Sequence, residues 1–415
     1  MSKRIIYHID CNSAFLSWEA VHRLQHGDSL DLRTVPSAIG GSVKQRHGII
    51  LAKSGPAKKM GISTGQTIFE ALSKCPNLLL VPPDYALYIQ CSNALMSLLQ
   101  EYTPMVERYS VDECFMDVTG YGMNREDCLE TAVVIKERIR NELGFTVNIG
   151  ISENKLLAKM ASEFEKPNKI HTLFPEEIPD KMWPLPVCDM FMVGIRTCLK
   201  LYKHGIITIG QLAHTDKELL RVYFKSYGNV LWDYANGIDY SEVRTDRQDI
   251  KGVGNSTTTS FDVTDYETAK LFLLSLSEMV GMRLRMENQK ARVICVFLRN
   301  NQFSAWSHQH KIPAPTNATN DIYEEACRLF SEMWKGQPIR ALGVRAGCLS
   351  DGNFTQLSIV DQNKADKISE LDKSVDFIRT KFGNDSVKRG VFLHSGVSHI
   401  NGGVSDDYPM MSSLL

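Results

Sequence analysis

Apolar spacing along the first half of the chain changes period several times, and each change marks a predicted element. Ile5–Asp10 is a short apolar run that reads as a strand ending on a carboxylate, and Ser13–Leu24 follows with helical spacing. Tyr85–Tyr102 puts Leu87, Cys91, Ala94, Leu95, Leu98 and Leu99 on one stripe, the pattern of a half-buried helix. Met105–Val111 and Cys114–Val118 have strand-like composition and flank the adjacent acids Asp112 and Glu113. Arg125–Leu143 is again helical, and Thr146–Ile151 reads as a strand. Ser152 is the expected N-cap of a helix running to about Lys166, where Pro167 stops it. The order is β-α-β-β-α-β, the ferredoxin-like arrangement. It lays the first strand beside the central hairpin, so Asp10 meets Asp112 and Glu113.

Other stretches keep different rules. Residues 27–82 are broken by Gly40, Gly41, Gly48, Gly55, Gly61 and Gly65, with Lys44, Arg46, Lys53, Lys58 and Lys59 among them. This predicts a small lid of short elements, with cations suited to a polyanion such as a triphosphate. Pro179, Pro184 and Pro186 mark a boundary, and Met190–Arg196 then Leu199–Lys203 outline a helix-hairpin-helix. Its turn, at Gly194 and Ile195, suits a DNA phosphate bound without base readout. After a charged linker at 246–252 the β-α-β-β-α-β order repeats over 253–350 without acids at the strand ends. Arg292 and Arg299 on one of its strands, and Arg340 and Arg345 on another, predict a face that tracks a sugar-phosphate backbone. Lys364–Phe382 reads as a helix, and the chain from about Ser395 as a mobile end.

A length of 415 residues allows two to four domains. The net charge of -1 argues against a polycation but leaves room for a basic groove balanced by an acidic site. No apolar run approaches the ~18 residues of a membrane span, so no membrane partner is expected. None of the ten cysteines forms a Cys-x-x-Cys pair, which speaks against zinc and for reduced thiols in the cytoplasm.

The candidate chemistry lies in Asp10, Asp112 and Glu113. Three carboxylates at neighbouring strand ends make a hard oxygen site of the kind Mg²⁺ prefers, and two such ions would serve phosphoryl transfer. The Cys11 carbonyl is placed to add an oxygen, and Phe15 to floor the site.

Tyr109-Ser-Val-Asp-Glu-Cys-Phe-Met-Asp117 resembles the catalytic hairpin of Y-family translesion DNA polymerases. So do His8-Ile-Asp-Cys-Asn-Ser-Ala-Phe15, Gly150–Lys159 and Lys166-Pro-Asn168, while Gly254-Asn-Ser-Thr-Thr258 resembles the start of that family's little finger. The likeness covers roughly residues 5–350 in order. It implies an α+β multidomain chain: a ferredoxin-like palm (1–26 and 83–178), small fingers (27–82), a helical thumb with the helix-hairpin-helix (179–245), a β-α-β-β-α-β little finger (253–350) and a tail (351–415). It implies Asp10, Asp112 and Glu113, with the Cys11 carbonyl, as ligands of two Mg²⁺ ions. Phe15 matches the steric gate against a ribose 2′-OH, and Lys166 a lysine on the incoming triphosphate. Gly55 and Lys58 stand where many members have Tyr and Arg, which resembles the UmuC-type branch and keeps Lys58 as a phosphate ligand without the bidentate fork. Gln356-Leu357-Ser358-Ile359-Val360 resembles a peptide that binds the sliding clamp. The implied partners are primer-template DNA, dNTPs and the clamp, for a monomer at the bacterial nucleoid serving damage tolerance. The competing readings are a nucleotidyl cyclase and a DNA-binding scaffold that kept the fold without catalysis.

Overall fold

The computed structural model describes residues 4–41, 48–120, 125–246, 250–352, 362–393, 395–397 and 400. Strand β1 (Ile6–Cys11) is buried along its whole length, as befits a central strand covered on both faces. Helix α1 (Ala14–Gln25) follows. A small three-stranded sheet then forms from β2 (Ser37–Gly40), β3 (Ile50–Lys53) and, after α2 (Gly55–Lys59) and α3 (Ile68–Lys74), β4 (Leu79–Val81), in the order β3-β2-β4. The chain returns through α4 (Tyr85–Gln100), β5 (Val106–Arg108), β6 (Glu113–Asp117), α5 (Arg125–Arg138), β7 (Val147–Ser152), α6 (Lys155–Ser162) and β8 (Ile170–Thr172).

The main sheet has the order β5-β6-β1-β7-β8, with β6 and β7 antiparallel to β1. Its first four strands are the expected ferredoxin-like set. The edge strand β8 was not anticipated, because three residues are too few to carry a period. Alternation along β1 divides its side chains between two faces. Tyr7, Ile9 and Cys11 enter the core formed with α4 and α5. Ile6, His8 and Asp10 face the other way, beside Phe115 and α6.

Helix α6 departs from expectation at both ends. Ser152 is the last residue of β7, and Asn154 is the cap, its side chain accepting from the Leu157 N–H at 2.9 Å. The helix stops at Ser162 rather than near Lys166. A Cβ at Gly150 would lie 1.9 Å from the Ala158 carbonyl, so only glycine lets α6 rest directly on β7.

Helices α7 (Ile195–Lys203), α8 (Ile209–Ala213), α9 (Lys217–Phe224) and α10 (Ser226–Ala235) form a helical unit whose core includes Leu156, Leu157, Met160 and Ala161 of α6. The helix expected before the Val-Gly-Ile turn is only a single 3₁₀ turn, Val187–Asp189. Cys188 and Cys198 come side by side, with Cα atoms 5.2 Å apart. Their proximity comes from that turn folding onto α7, which no Cys-x-x-Cys spacing announces.

The second β-α-β-β-α-β unit comprises β9 (Gly252–Val263), α11 (Tyr266–Met286), β10 (Gln289–Asn300), β11 (Ala305–Thr316), α12 (Thr319–Met333) and β12 (Ile339–Asp351). Its strand order, β11-β10-β12-β9, differs from that of the first unit despite the same element order. One face packs Ile294, Val296, Leu298, Leu342 and Val344 against α11 and α12. Helix α13 (Gln362–Phe382) is fastened to α11 by buried ion pairs: Arg285 with Asp376 at 2.6 Å and Asp372 at 3.1 Å, and Arg379 with Glu278 at 3.3 Å. The end expected to be mobile is held in part, since Val397 joins the same core and the Ile400 N–H donates to Ser275 Oγ at 2.8 Å.

Candidate active site

The hairpin register places Asp10 directly opposite Glu113, and the Cys11 N–H donates to the Asp112 carbonyl at 3.0 Å. Acids about a hundred residues apart are thus joined by neighbouring strands. Ser110 secures the turn: its hydroxyl donates to Asp112 Oδ1 at 2.7 Å and accepts from the Glu113 N–H at 3.0 Å. Lys159 of α6 reaches Glu113 Oε2 at 2.7 Å. Lys166 pairs with Asp10 and lies 2.9 Å from Glu163 Oε2.

One oxygen each from Asp10, Glu113 and Glu163 lies within 4.8 Å of the others. Glu163 was not among the expected ligands, and Asp112 is not in this triplet. Asp112 instead lines the adjoining cleft together with Asp10, its carboxylate held by Ser110. Glu163 and Lys159 were missed because they enter through the packing of α6 on β7, which carries no local signal, whereas His8 reaches Glu113 from β1, on the same strand face as Asp10.

Electrostatics separate the acids. Burial raises Asp10 to about 7, with Lys166 opposing and the charges of Glu113 and Glu163 adding to the rise. Burial also raises Asp112. Burial works the same way on Glu113, but His8 and Lys159 outweigh it and bring that carboxylate down to about 2. His8 is fully buried, which lowers it to about 4. Its Nδ1 meets Ser162 Oγ at 2.8 Å, while Nε2 has no hydrogen-bond partner and lies 3.6 Å from Glu113 Oε2. Three hard carboxylate oxygens gathered within 4.8 Å fit a divalent cation, which relieves their mutual repulsion.

A cleft of about 490 Å³ opens beside the acids and is lined by Asp10, Cys11, Asp112, Phe15, Lys58 and Lys166, all expected site residues. That size lies in the range of small-molecule sites. Gly55 contributes open space, since a Cβ there would meet nothing within 4 Å. Arg33 and Lys53 add further positive charge to the lining. Burial, and after it the charge of Lys58, lower the pKa of Lys53. Phe15 stacks on Tyr88 with ring centroids 4.4 Å apart and 5° between planes, so its ring is braced at the cleft wall.

The remaining expected residues lie elsewhere. Gly194 caps α7, and Ile195 is 78% exposed at its first turn. Arg299 and Arg345 share the sheet face opposite α11 and α12, through the pairs Arg299↔Ala341 and Cys295↔Arg345. Exposed Gly254 and Ser256 on β9 leave that face low in relief. Arg340 lies over Phe303 at 5.1 Å, and Arg292 donates to the Pro313 carbonyl at 2.9 Å. Gln356, Leu357, Ser358, Ile359 and Val360 fall outside the described residues.

Comparison with known proteins gives a consistent picture. Residues 9–163 match the model of the impB/mucB/samB family, and residues 250–359 that of the impB/mucB/samB family C-terminal domain. The chain is 49% identical over 393 residues to DNA polymerase IV of Clostridium acetobutylicum, covering 95% of this chain and 99% of the relative. It is 37% identical over 401 residues to DNA polymerase IV 2 of Bacillus subtilis, covering 95% of each. A solved Y-family DNA polymerase chimera built from Dbh and Dpo4 superposes with a TM-score of 0.74 at 22% identity, over 84% of this chain and 99% of that one. These relatives do not confirm the UmuC-type branch suggested by Gly55 and Lys58.

Proposed function

The chain belongs to the impB/mucB/samB family, the Y-family DNA polymerases, and is a DNA-directed DNA polymerase; on that premise we propose how its residues carry out nucleotidyl transfer from a dNTP to a primer 3′-OH. The observation that carries the reading is the register Asp10↔Glu113 beside a cleft lined by Asp112, Phe15, Lys58 and Lys166. Asp10, Asp112 and Glu113, with the Cys11 carbonyl, would hold two Mg²⁺ ions, and Glu163 adds a nearby carboxylate. Bound there, the ions supply charge neutralisation at the transferring phosphate and a lower pKa for the 3′-OH.

The protein's own work is placement. Lys58 and Lys166 hold the triphosphate, with Lys53 and Arg33 adding positive potential. Phe15, braced by Tyr88, occupies the space a 2′-OH would need. Gly194 and Ile195 at the head of α7, and Arg299, Arg345, Arg340 and Arg292 in the second unit, grip the duplex backbone, giving sequence-independent and salt-sensitive binding. The thumb and little-finger roles follow these contacts. Synthesis past damaged template bases, as part of the response to DNA damage, is the biological use. A nucleotidyl cyclase has no use for the second sheet's arginine face, and a scaffold none for repelling acids held together. Template-directed primer extension tests the reading, and its absence in the presence of Mg²⁺ would defeat it.

Cation binding should depend on pH with a definite sign. Asp10 titrates near 7, so a proton competes with the cation below that value and not above it. Calorimetric titration with Mg²⁺ should therefore give an affinity about tenfold tighter at pH 8 than at pH 6, as for loss of one competing proton. An affinity constant across that window would contradict the raised pKa of Asp10.

The segment Gln356–Val360 is proposed to contact the sliding clamp. Changing Gln356 and Leu357 to Ala should weaken clamp-stimulated synthesis while leaving activity without the clamp intact. Equal stimulation of both proteins would exclude the segment.

A further inference from the structure

We propose that Asn148 is a positioning residue for Lys166: its side chain fastens the turn that carries Lys166 over Asp10, with Asn12 as a second support. Asn148 lies on β7 opposite Asp10 and is wholly buried. Its Nδ2 donates to the carbonyls of Ser162 at 3.0 Å and Glu165 at 2.7 Å. Its Oδ1 accepts from the Lys169 N–H at 3.2 Å and from Asn12 Nδ2 at 3.1 Å. The amide's two donor and two acceptor positions are therefore all used, three of them on the backbone of 162–169. Asn12 Oδ1 in turn accepts from the Asn168 N–H at 2.8 Å and from Thr146 Oγ1 at 3.0 Å.

The turn needs this support. Residues 163–169 belong to no helix or strand, so their backbone polar groups must find partners elsewhere. Pro167 has no N–H to offer. The two asparagines bind the Glu165 carbonyl just before Lys166 and the Asn168 N–H just after Pro167. The base of the lysine is thereby pinned on both sides, and its flexible stem delivers the ammonium between Asp10 and Glu163. An amide is the one short side chain that supplies two donors and two acceptors here, and a hydroxyl or carboxylate leaves some of these groups unmatched.

This inference rests on the reading that Lys166 contacts the triphosphate, and the test separates the two. Single-nucleotide insertion would be measured on the full chain for the unaltered protein, Asn148→Ala, Lys166→Ala and the double variant. Asn148→Ala should raise KM for the dNTP about tenfold, in the range found for groups that orient a site residue, with a smaller change in kcat. In the Lys166→Ala background the same replacement should change KM by less than about twofold, because the effect is routed through the lysine. A purely structural role would give equal changes in both backgrounds, and that result, or an unchanged KM in folded Asn148→Ala, overturns the proposal. An unchanged KM in Lys166→Ala itself would instead overturn the triphosphate role, and the proposal with it. If Asn148→Ala does not fold at the assay temperature, Asn148→Ser carries the same comparison.

Discussion

Asp10→Asn should leave a folded, DNA-binding protein that no longer extends a primer. Asparagine preserves the shape of a side chain that is 6% exposed and the pairing of β1 with β6 and β7, so the fold is retained. It removes one of three carboxylate oxygens gathered within 4.8 Å, and with it a charge aimed at the transferring phosphate. Such electrostatic contributions count for more in a buried site than in water, and loss of one is expected to cost about 10³-fold in incorporation rate. Asp112→Ala should fall in the same class, since its carboxylate lines the cleft. Duplex binding should stay close to the unaltered value in both, because the arginines and the α7 turn lie on other elements. The measurement is single-turnover incorporation beside a DNA-binding titration. Retained synthesis in either variant would contradict the assignment of that acid.

Phe15→Ala should admit ribonucleotides. The ring lines the cleft and is braced by Tyr88 behind it, so it has no room to swing aside for an added hydroxyl. Forcing an extra group against such packing costs about 1–3 kcal/mol, which corresponds to roughly 5- to 150-fold discrimination. Removing the ring should lift that penalty for rNTPs while leaving dNTP insertion much less affected. The ratio of kcat/KM for a dNTP and its rNTP, measured with both proteins, reads the effect directly. An unchanged ratio would take Phe15 out of sugar selection.

These expectations could be framed because much of the site announces itself locally. An apolar run ending on Asp10, and two acids between strand-like runs, are local features, and the ferredoxin-like order supplies their adjacency. The rest depends on approach distances that no pattern encodes. Glu163 and Lys159 reach the acids because α6 lies on the bare backbone of Gly150. The early end of α6 frees residues 163–169 to form the turn carrying Lys166, where a continuous helix was expected. In the second unit the element order was legible but the strand order was not, because it depends on which long strands pair. Nor did the charged, mixed composition of α13 disclose that Asp372 and Asp376 close on Arg285.

The most direct test of the central claim is primer extension by the unaltered protein with Mg²⁺, offering each dNTP singly opposite a known template base. The account predicts addition of the complementary nucleotide to the primer, on an undamaged template and opposite an abasic site. Failure to add any nucleotide, or addition that ignores the template, would contradict it.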